Sequence, residues 1–394
     1  VRRAEYFPHD ALPQGRKVRD YDTVGALTFL LEKRYIITLL DTIYGCDEMA
    51  QLHKDNHYVP QFYLKNWSND GKTVWMYRRL VSHKNVEWWK KQSIENTAYV
   101  EHLYARQLND SVSDEFENWL NYEIETPAKD VLEKINSNDN LTRDDLQKLI
   151  RFTAAQIVRT PAYFAKNRSN WIEALPQVIE DATKKSIEKL MRYQRSENWS
   201  PLPTSAPDKL IPLKCSVLEQ QEETDTALIK IDTIVGRSMW LSNIKRMATK
   251  NIEILLNHKW SIIEVASGIE WPTSDDPVIR LSYRDEQNYS FDGGIKQKNA
   301  EILFPLSPSK LLYTKVGSRQ PIDRFNRDIQ FSELVRRFIL EHSFLHVYSK
   351  SPLKGMFQKC PRVVNEVEYK RINAMLKNWH LDNAEGEQEF LNQE

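Results

Sequence analysis

The sequence predicts an α+β fold: a mixed sheet built from N-terminal and C-terminal strands, with a central helical insert. Two observations carry this prediction. Runs rich in β-branched and aromatic residues cluster near 57–105 and again within 260–315 and 344–349 of the 394-residue chain. The intervening stretch, 113–257, carries apolar residues at helical spacing. A hydrophobic content of 41% supports a sizeable core, and only 11 glycines argue against a Gly-rich dinucleotide-binding or repeat architecture. The expected organisation is an N-terminal extension over 1–48 and a main domain over 49–350. Within that domain 49–112 is a β part, 113–257 a helical part and 258–350 a β part with one helix. Residues 351–394 form a tail, partly helical or disordered, and polar after about 377.

Residues 1–48 contrast with the rest. The apolar run from Val24 to Tyr44 is broken by Glu32, Lys33 and Arg34, whereas a membrane-spanning helix needs about 20 mostly apolar residues. It also lacks the basic–apolar–small order of a signal peptide. Met49 stands just before the first motif, so the natural protein is expected to begin there, with 1–48 preceding it as a non-native or loosely ordered extension. The competing expectation is a helix over 24–44.

The stretch His57-Tyr58-Val59-Pro60-Gln61-Phe62-Tyr63-Leu64-Lys65-Asn66-Trp67 reads as extended chain entering a hairpin. Pro60 fixes its own φ and pushes Val59 towards extended geometry. Asn69-Asp70-Gly71 is a turn signal, and Thr73-Val74-Trp75-Met76-Tyr77 is a strand by composition. Val86-Glu87-Trp88-Trp89-Lys90-Lys91-Gln92 mixes rings with lysines. Such a run can stack bases and neutralise phosphate, or be an edge strand whose lysines discourage aggregation.

Ser113 can cap a helix beginning at Asp114-Glu115, with Phe116, Trp119, Leu120 and Ile124 on one stripe. Glu123 falls on that same stripe, and Glu125 replaces it if the kink expected at Pro127 rotates the face. Thr142 and Asp145 have capping-box spacing ahead of a helix apolar on two faces. Gln156 and Arg159 lie on its second stripe and are expected to point into protein. Thr160-Pro161 ends that helix and starts the next. The Pro- and Ser-rich 196–214 is a linker, and 216–257 again reads as helical. Strands follow at Trp260–Ala266, Val278–Leu281, 302–304, 310–313 and 344–349, with a helix over 323–341. Thr273-Ser274-Asp275-Asp276-Pro277 is a loop between strands, in which Ser274 and Asp275 can close a local turn on the backbone or form part of a site.

Lys+Arg and Asp+Glu both number 55, which disfavours a globally basic nucleic-acid binder while leaving local patches open. Cys46, Cys215 and Cys360 are odd in number and widely spaced, as in a reducing cytoplasm, and no CxxC offers a thiolate zinc site. His53/His57 and His342/His346 share H-x-x-x-H spacing but lack the neighbouring Glu of zinc proteases. No P-loop, no G-x-G-x-x-G and no serine-hydrolase elbow occurs, around Ser307 or elsewhere.

Four motifs stand out: HYVPQFYLKNW from His57, Gln156-Ile157-Val158-Arg159-Thr160-Pro161, the TSDDPV run from Thr273, and Pro305-Leu306-Ser307-Pro308. In order and spacing, from about 52 to about 350, they resemble a bacterial family known as domain of unknown function 4238. The resemblance implies that these positions matter and brings no activity with it. The residues themselves point to a site in which His57, Tyr58 and Gln61 meet Gln156 and Arg159, and Ser274, Asp275 and Asp276. His57 would be acid or base, Arg159 an anion holder and Asp275 an orienter or metal ligand. Glu123 or Glu125 would add a further acid, and a divalent metal ion is the one cofactor such acids could bind. The expected function is a cytoplasmic hydrolase of a phosphodiester, in nucleic acid or a nucleotide, with no membrane partner. The alternative is a non-catalytic binding or regulatory protein whose polar motifs are structural.

Overall fold

The computed structural model describes residues 22–32, 54–108, 111–194, 213–221, 226–318 and 324–392, with the backbone alone for 22–32. Its contacts divide into two units, one formed by Ala50–Ala165 with Asn243–His380, the other by Val1–Met49, Lys166–Ser242 and Leu381–Glu394.

In the first unit, a five-stranded antiparallel sheet runs in the order Ser261–Glu264, Lys310–Lys315, Glu301–Ser307, Ile279–Asp285, Asn288–Ser290. Its central strand, Glu301–Ser307, is buried along its whole length, which suits the apolar run Ile302-Leu303-Phe304. Lys315 lies opposite Glu301 and binds its carboxylate at 3.0 Å. Helix Ile329–His342, capped by Asp328 accepting from the Phe331 N–H, lays Val335, Phe338 and Ile339 on this sheet. Trp271, fully buried in the same core, donates its indole N–H to the Ser332 carbonyl.

A second sheet joins the two halves of the sequence, in the order Thr273–Ser274, His346–Ser349, Thr73–Arg78, Trp89–Ser93. N-terminal and C-terminal strands therefore do share one sheet. Its ladders are antiparallel, and parallel pairing among the described residues is confined to Val363–Val364 on Leu80–Val81. Trp89–Ser93 is an edge strand, as its lysines suggest. The turn before Thr73 forms as expected. Gly71 takes φ 69°, and Asp70 accepts the Thr73 hydroxyl and then the Lys72 and Thr73 N–H groups, which together hold its carboxyl well below the usual range.

The first motif departs from its extended reading. Gln61–Leu64 is a short helix continued by a 3-10 turn at Lys65–Trp67. Pro60 stands just ahead of the helix with φ −61°, where its missing N–H costs nothing. The motif's aromatics gain by this. Tyr63 donates to the Pro305 carbonyl and shares a hydrogen bond with Thr273, while Trp67 donates to the Trp271 carbonyl.

The second unit contains a three-stranded antiparallel sheet in the order Asp22–Glu32, Thr226–Val235, Leu213–Gln221. Two expectations fail here. The described part of the expected helix over 24–44 is instead strand, in Asp22–Glu32, and the helical reading of 216–257 holds only from Arg237 onward, in Arg237–Ala248 and, within the first unit, Ile252–Leu256. Leu228, Ile231 and Ile234 fit a helical stripe, but Ile229, Ile231, Thr233 and Val235 fit period two and are β-branched, and the ladder follows the second pattern. The tail expected to be partly helical or disordered contains helix Glu366–Asn392, of which Glu366–His380 belongs to the first unit. Within the second unit, buried Glu387 pairs with fully buried Arg237 at 2.5 Å. The Pro- and Ser-rich linker lies mostly outside the described residues, as do His53 and Cys46.

Trp271→Ala removes the ring that closes the sheet–helix core, and is expected to cost about 3–5 kcal/mol of unfolding free energy in urea titration.

Candidate functional site

Helix Arg143–Val158 is fixed at its start by a complete capping box between Thr142 and Asp145, and Arg159 terminates it. That places a guanidinium with no solvent exposure among three elements. Nη1 donates to the Glu125 carboxylate at 2.7 Å, Nη2 to the His57 carbonyl at 2.5 Å and Nε to the Tyr104 hydroxyl at 3.3 Å. Tyr104 in turn donates to the Arg159 carbonyl at 3.0 Å. Burial opposes the guanidinium charge, but Tyr104, Glu125 and Glu117 more than offset it and keep Arg159 protonated. One turn earlier, fully buried Gln156 donates to the Tyr58 carbonyl, and its Oε1 has no partner.

Glu125 reaches Arg159 because the preceding helix is not regular. Glu115–Leu120 runs into a π-helical turn, Asn121–Glu125, in which the Thr126 N–H bonds five residues back to Asn121. The wider turn leaves Glu123 exposed and sets Glu125 half-buried towards the guanidinium. The expectation that Glu123 lies on the buried stripe is therefore corrected, and the rotated alternative, Glu125, is the acid in place. A single buried cation would be balanced by one carboxylate, yet a second, Glu117, stands close by. Burial first, and then the Glu125 charge, push the Glu117 carboxyl up to about 8. Its Oε2 is buried without a partner, and it is hydrogen-bonded to the Asn56 side chain, which also accepts the Tyr104 N–H.

His57 belongs to this cluster. It ends strand Asp55–His57, which pairs with Tyr99–Glu101, and the alternation of the strand turns Asn56 into the protein and leaves His57 half-exposed. Its Nε2 lies 3.1 Å from the Glu95 carbonyl, so that nitrogen carries the hydrogen and Nδ1 is left with the lone pair. The Gln61 amide lies 3.4 Å from the same Nε2. Burial lowers the His57 pKa, while the opposing pull of Glu125 and push of Arg159 act in smaller measure.

The acids of the TSDDPV loop do other work. Asp275, 2% exposed, accepts the backbone N–H groups of Phe344, Leu345 and His346 at 2.7–3.0 Å, and it makes no bond to Arg159. Ser274 accepts the Asp276 N–H, closing the local turn. Asp276 accepts the Thr160 hydroxyl at 2.9 Å and lies 3.6 Å from His342 Nε2. Burial raises its pKa. His346 lies 3.6 Å from Asp275, so the two histidines of the second H-x-x-x-H pair serve different acids. Tyr58, pushed far up by burial and then by the Asp275 charge, hydrogen-bonds Tyr348, while Tyr63 of the same motif reaches Thr273 at the start of this loop.

The motifs thus meet, but as two linked clusters. His57, Gln61, Arg159 and Glu125 gather with Glu117, Tyr104 and Asn56. Tyr58, Ser274, Asp275 and Asp276 gather with Thr160, His342 and Tyr348, and Gln156 ties the first motif's backbone between them. Among the described residues, no three His, Cys, Asp or Glu side chains are arranged to hold a metal ion. Sequence reasoning missed Glu117, Tyr104 and Asn56. Glu117 follows Phe116 of the buried stripe, and Asn56 precedes His57 in a strand, so each carried a weak positional signal; Tyr104 carried none. No described helix is long and apolar enough to cross a membrane.

A family model described as "Protein of unknown function (DUF4238)" matches residues 55–385. No curated protein and no solved structure matches the chain.

Asp275→Ala leaves three backbone donors buried without an acceptor, and is expected to lower unfolding free energy by about 3 kcal/mol or more in urea titration. Glu117 binds its proton more tightly folded than unfolded. Stability is therefore expected to fall as pH rises from about 4.5, the carboxyl's ordinary value, to about 8. Glu117→Gln should lose this component of the slope and melt above the wild type at pH 8–9. Melting temperatures of both proteins across pH 4–9 check this.

Proposed function

The chain belongs to the DUF4238 family of proteins of unknown function, which brings no activity with it, and from the geometry of the Glu117 cluster we propose that it is a hydrolase using acid–base chemistry at Glu117 and His57, with a phosphodiester of nucleic acid or a nucleotide as substrate. One observation carries the reading: a half-exposed histidine with an open Nδ1 shares a cluster with a carboxyl whose Oε2 is buried and unpartnered. Fixed structural pairs rarely leave an acid in this state, because an unsatisfied buried polar atom is costly. A general acid needs such a proton, held through neutral pH, and a general base needs a neutral imidazole.

In this mechanism His57 Nδ1 takes a proton from water as its oxygen attacks phosphorus. Glu117 gives its proton to the departing oxygen as the P–O bond breaks. Solvent then carries the proton from His57 back to Glu117. Arg159 and Glu125 are positioning residues. Arg159 holds the His57 backbone in place, and Glu125 keeps the neighbouring carboxyl protonated. An anionic substrate adds to that effect, since a second negative charge raises the Glu117 pKa further.

The second reading, a non-catalytic binding or regulatory protein, is favoured by the way Arg159, Gln156 and Asp275 spend their polar atoms on backbone groups and on one another. The two readings part in one assay. RNA, DNA and nucleotides are incubated with pure protein, with and without Mg²⁺ or Mn²⁺. Cleavage by the wild type that falls about 100-fold or more in both His57→Ala and Glu117→Gln is expected for general acid–base catalysis. Equal activity in all three proteins rules out the chemistry, and no cleavage of any substrate favours the binding reading.

A further inference from the structure

A cleft of about 710 Å³ opens on the first unit, within the size range of small-molecule sites, and its lining includes none of the residues of the Glu117 cluster. It lies where the end of the first motif meets the fourth. Asn66 donates to the Leu306 carbonyl at 2.8 Å and accepts from Asn136 at 2.9 Å, and the Pro308 carbonyl accepts the Trp271 N–H. The facing rim is the turn Ala266–Ile269, closed by the Ile269 N–H on the Ala266 carbonyl, with Gly268 at φ 81° as such a turn requires. A further rim residue, Lys350, has its backbone tied to Asn69.

The walls differ in character. Val265, Ile269 and Pro308 supply an apolar side. Lys65 and Lys350 bring two ammonium groups that make no ion pair with any described residue, and Glu270 brings one exposed carboxylate that also makes none. Elsewhere on the surface, Lys91 is paired with Asp70 and Lys370 with Glu366. Two unpaired lysines on one concave surface leave a net positive field that focuses anions into the cleft. Lysine is suited to phosphate as a mobile point charge with three donors.

We propose that this cleft binds a phosphorylated small molecule of about nucleotide size, its phosphate taken by Lys65 and Lys350 and its uncharged body resting on Val265, Ile269 and Pro308. The site is separate from the Glu117 cluster and does not depend on the hydrolase reading.

Isothermal titration calorimetry on the full chain tests it, with AMP, inorganic phosphate, adenosine and citrate as probes. AMP is expected to bind, adenosine at least tenfold more weakly. Combining Lys65→Gln with Lys350→Gln should weaken AMP tenfold or more at an unchanged melting temperature, since Lys65 is exposed and Lys350 half-exposed. The proposal is overturned if neither AMP nor phosphate binds, if the double variant keeps full affinity, or if citrate binds as tightly as AMP.

Discussion

The burial of the Arg159 guanidinium is the constraint on which the site rests. A charge with no solvent exposure is tolerated only where hydrogen bonds and an opposite charge replace water, and removing one such partner typically costs about 3–5 kcal/mol. Arg159 finds its replacements on three segments far apart in sequence: the His57 carbonyl, the Tyr104 hydroxyl and the Glu125 carboxylate. None of the three can shift without stranding a donor. The planar fork therefore sets the mutual position of a strand end, a loop and a helical turn, which lysine, with one point charge, could not do.

The same constraint explains why the neighbouring carboxyl is abnormal. Glu125 already matches the cation, so Glu117 is a surplus acid in a poorly solvated place, and it holds its proton to about 8. His57 is tied to this arrangement by its backbone, while its ring is set independently by the Glu95 carbonyl. Fully buried Arg159 is spent on fixing geometry, whereas Glu117 and His57 are only half-buried. The TSDDPV loop completes the framework from another side, with Asp275 gathering three successive N–H groups where helix Ile329–His342 gives way to strand His346–Ser349.

Much of this was legible in the sequence where a local rule has a local cause. Thr142 and Asp145 announced a helix start because the cap is made within four residues, and Asn69-Asp70-Gly71 announced a turn for the same reason. The inward orientation of Gln156 and Arg159 followed from a helix with two apolar faces. What failed were positions decided at a distance. The segment after Pro60 coils because Tyr63 and Trp67 find acceptors more than 200 residues away. Thr226–Val235 satisfies both the helical and the strand period over much of its length, and only its ladder partners choose between them. Glu117 was missed because neither its burial nor its neighbour Glu125 can be read from a helical wheel that assumes regular turns.

The π-helical turn at Asn121–Glu125 has a consequence for how the family can vary in length. Such a turn amounts to one extra residue lodged in an α-helix, kept because it aims a side chain. Losing that residue would restore an ordinary helix and swing every downstream group by about 100° relative to those upstream. The carboxylate would leave the guanidinium, and the helix would be healthier for it. Relatives should therefore tolerate substitutions across 121–125 far more readily than a change in residue count there, so that the spacing between Leu120 and Pro127 is a sharper mark of shared chemistry than the letters between them.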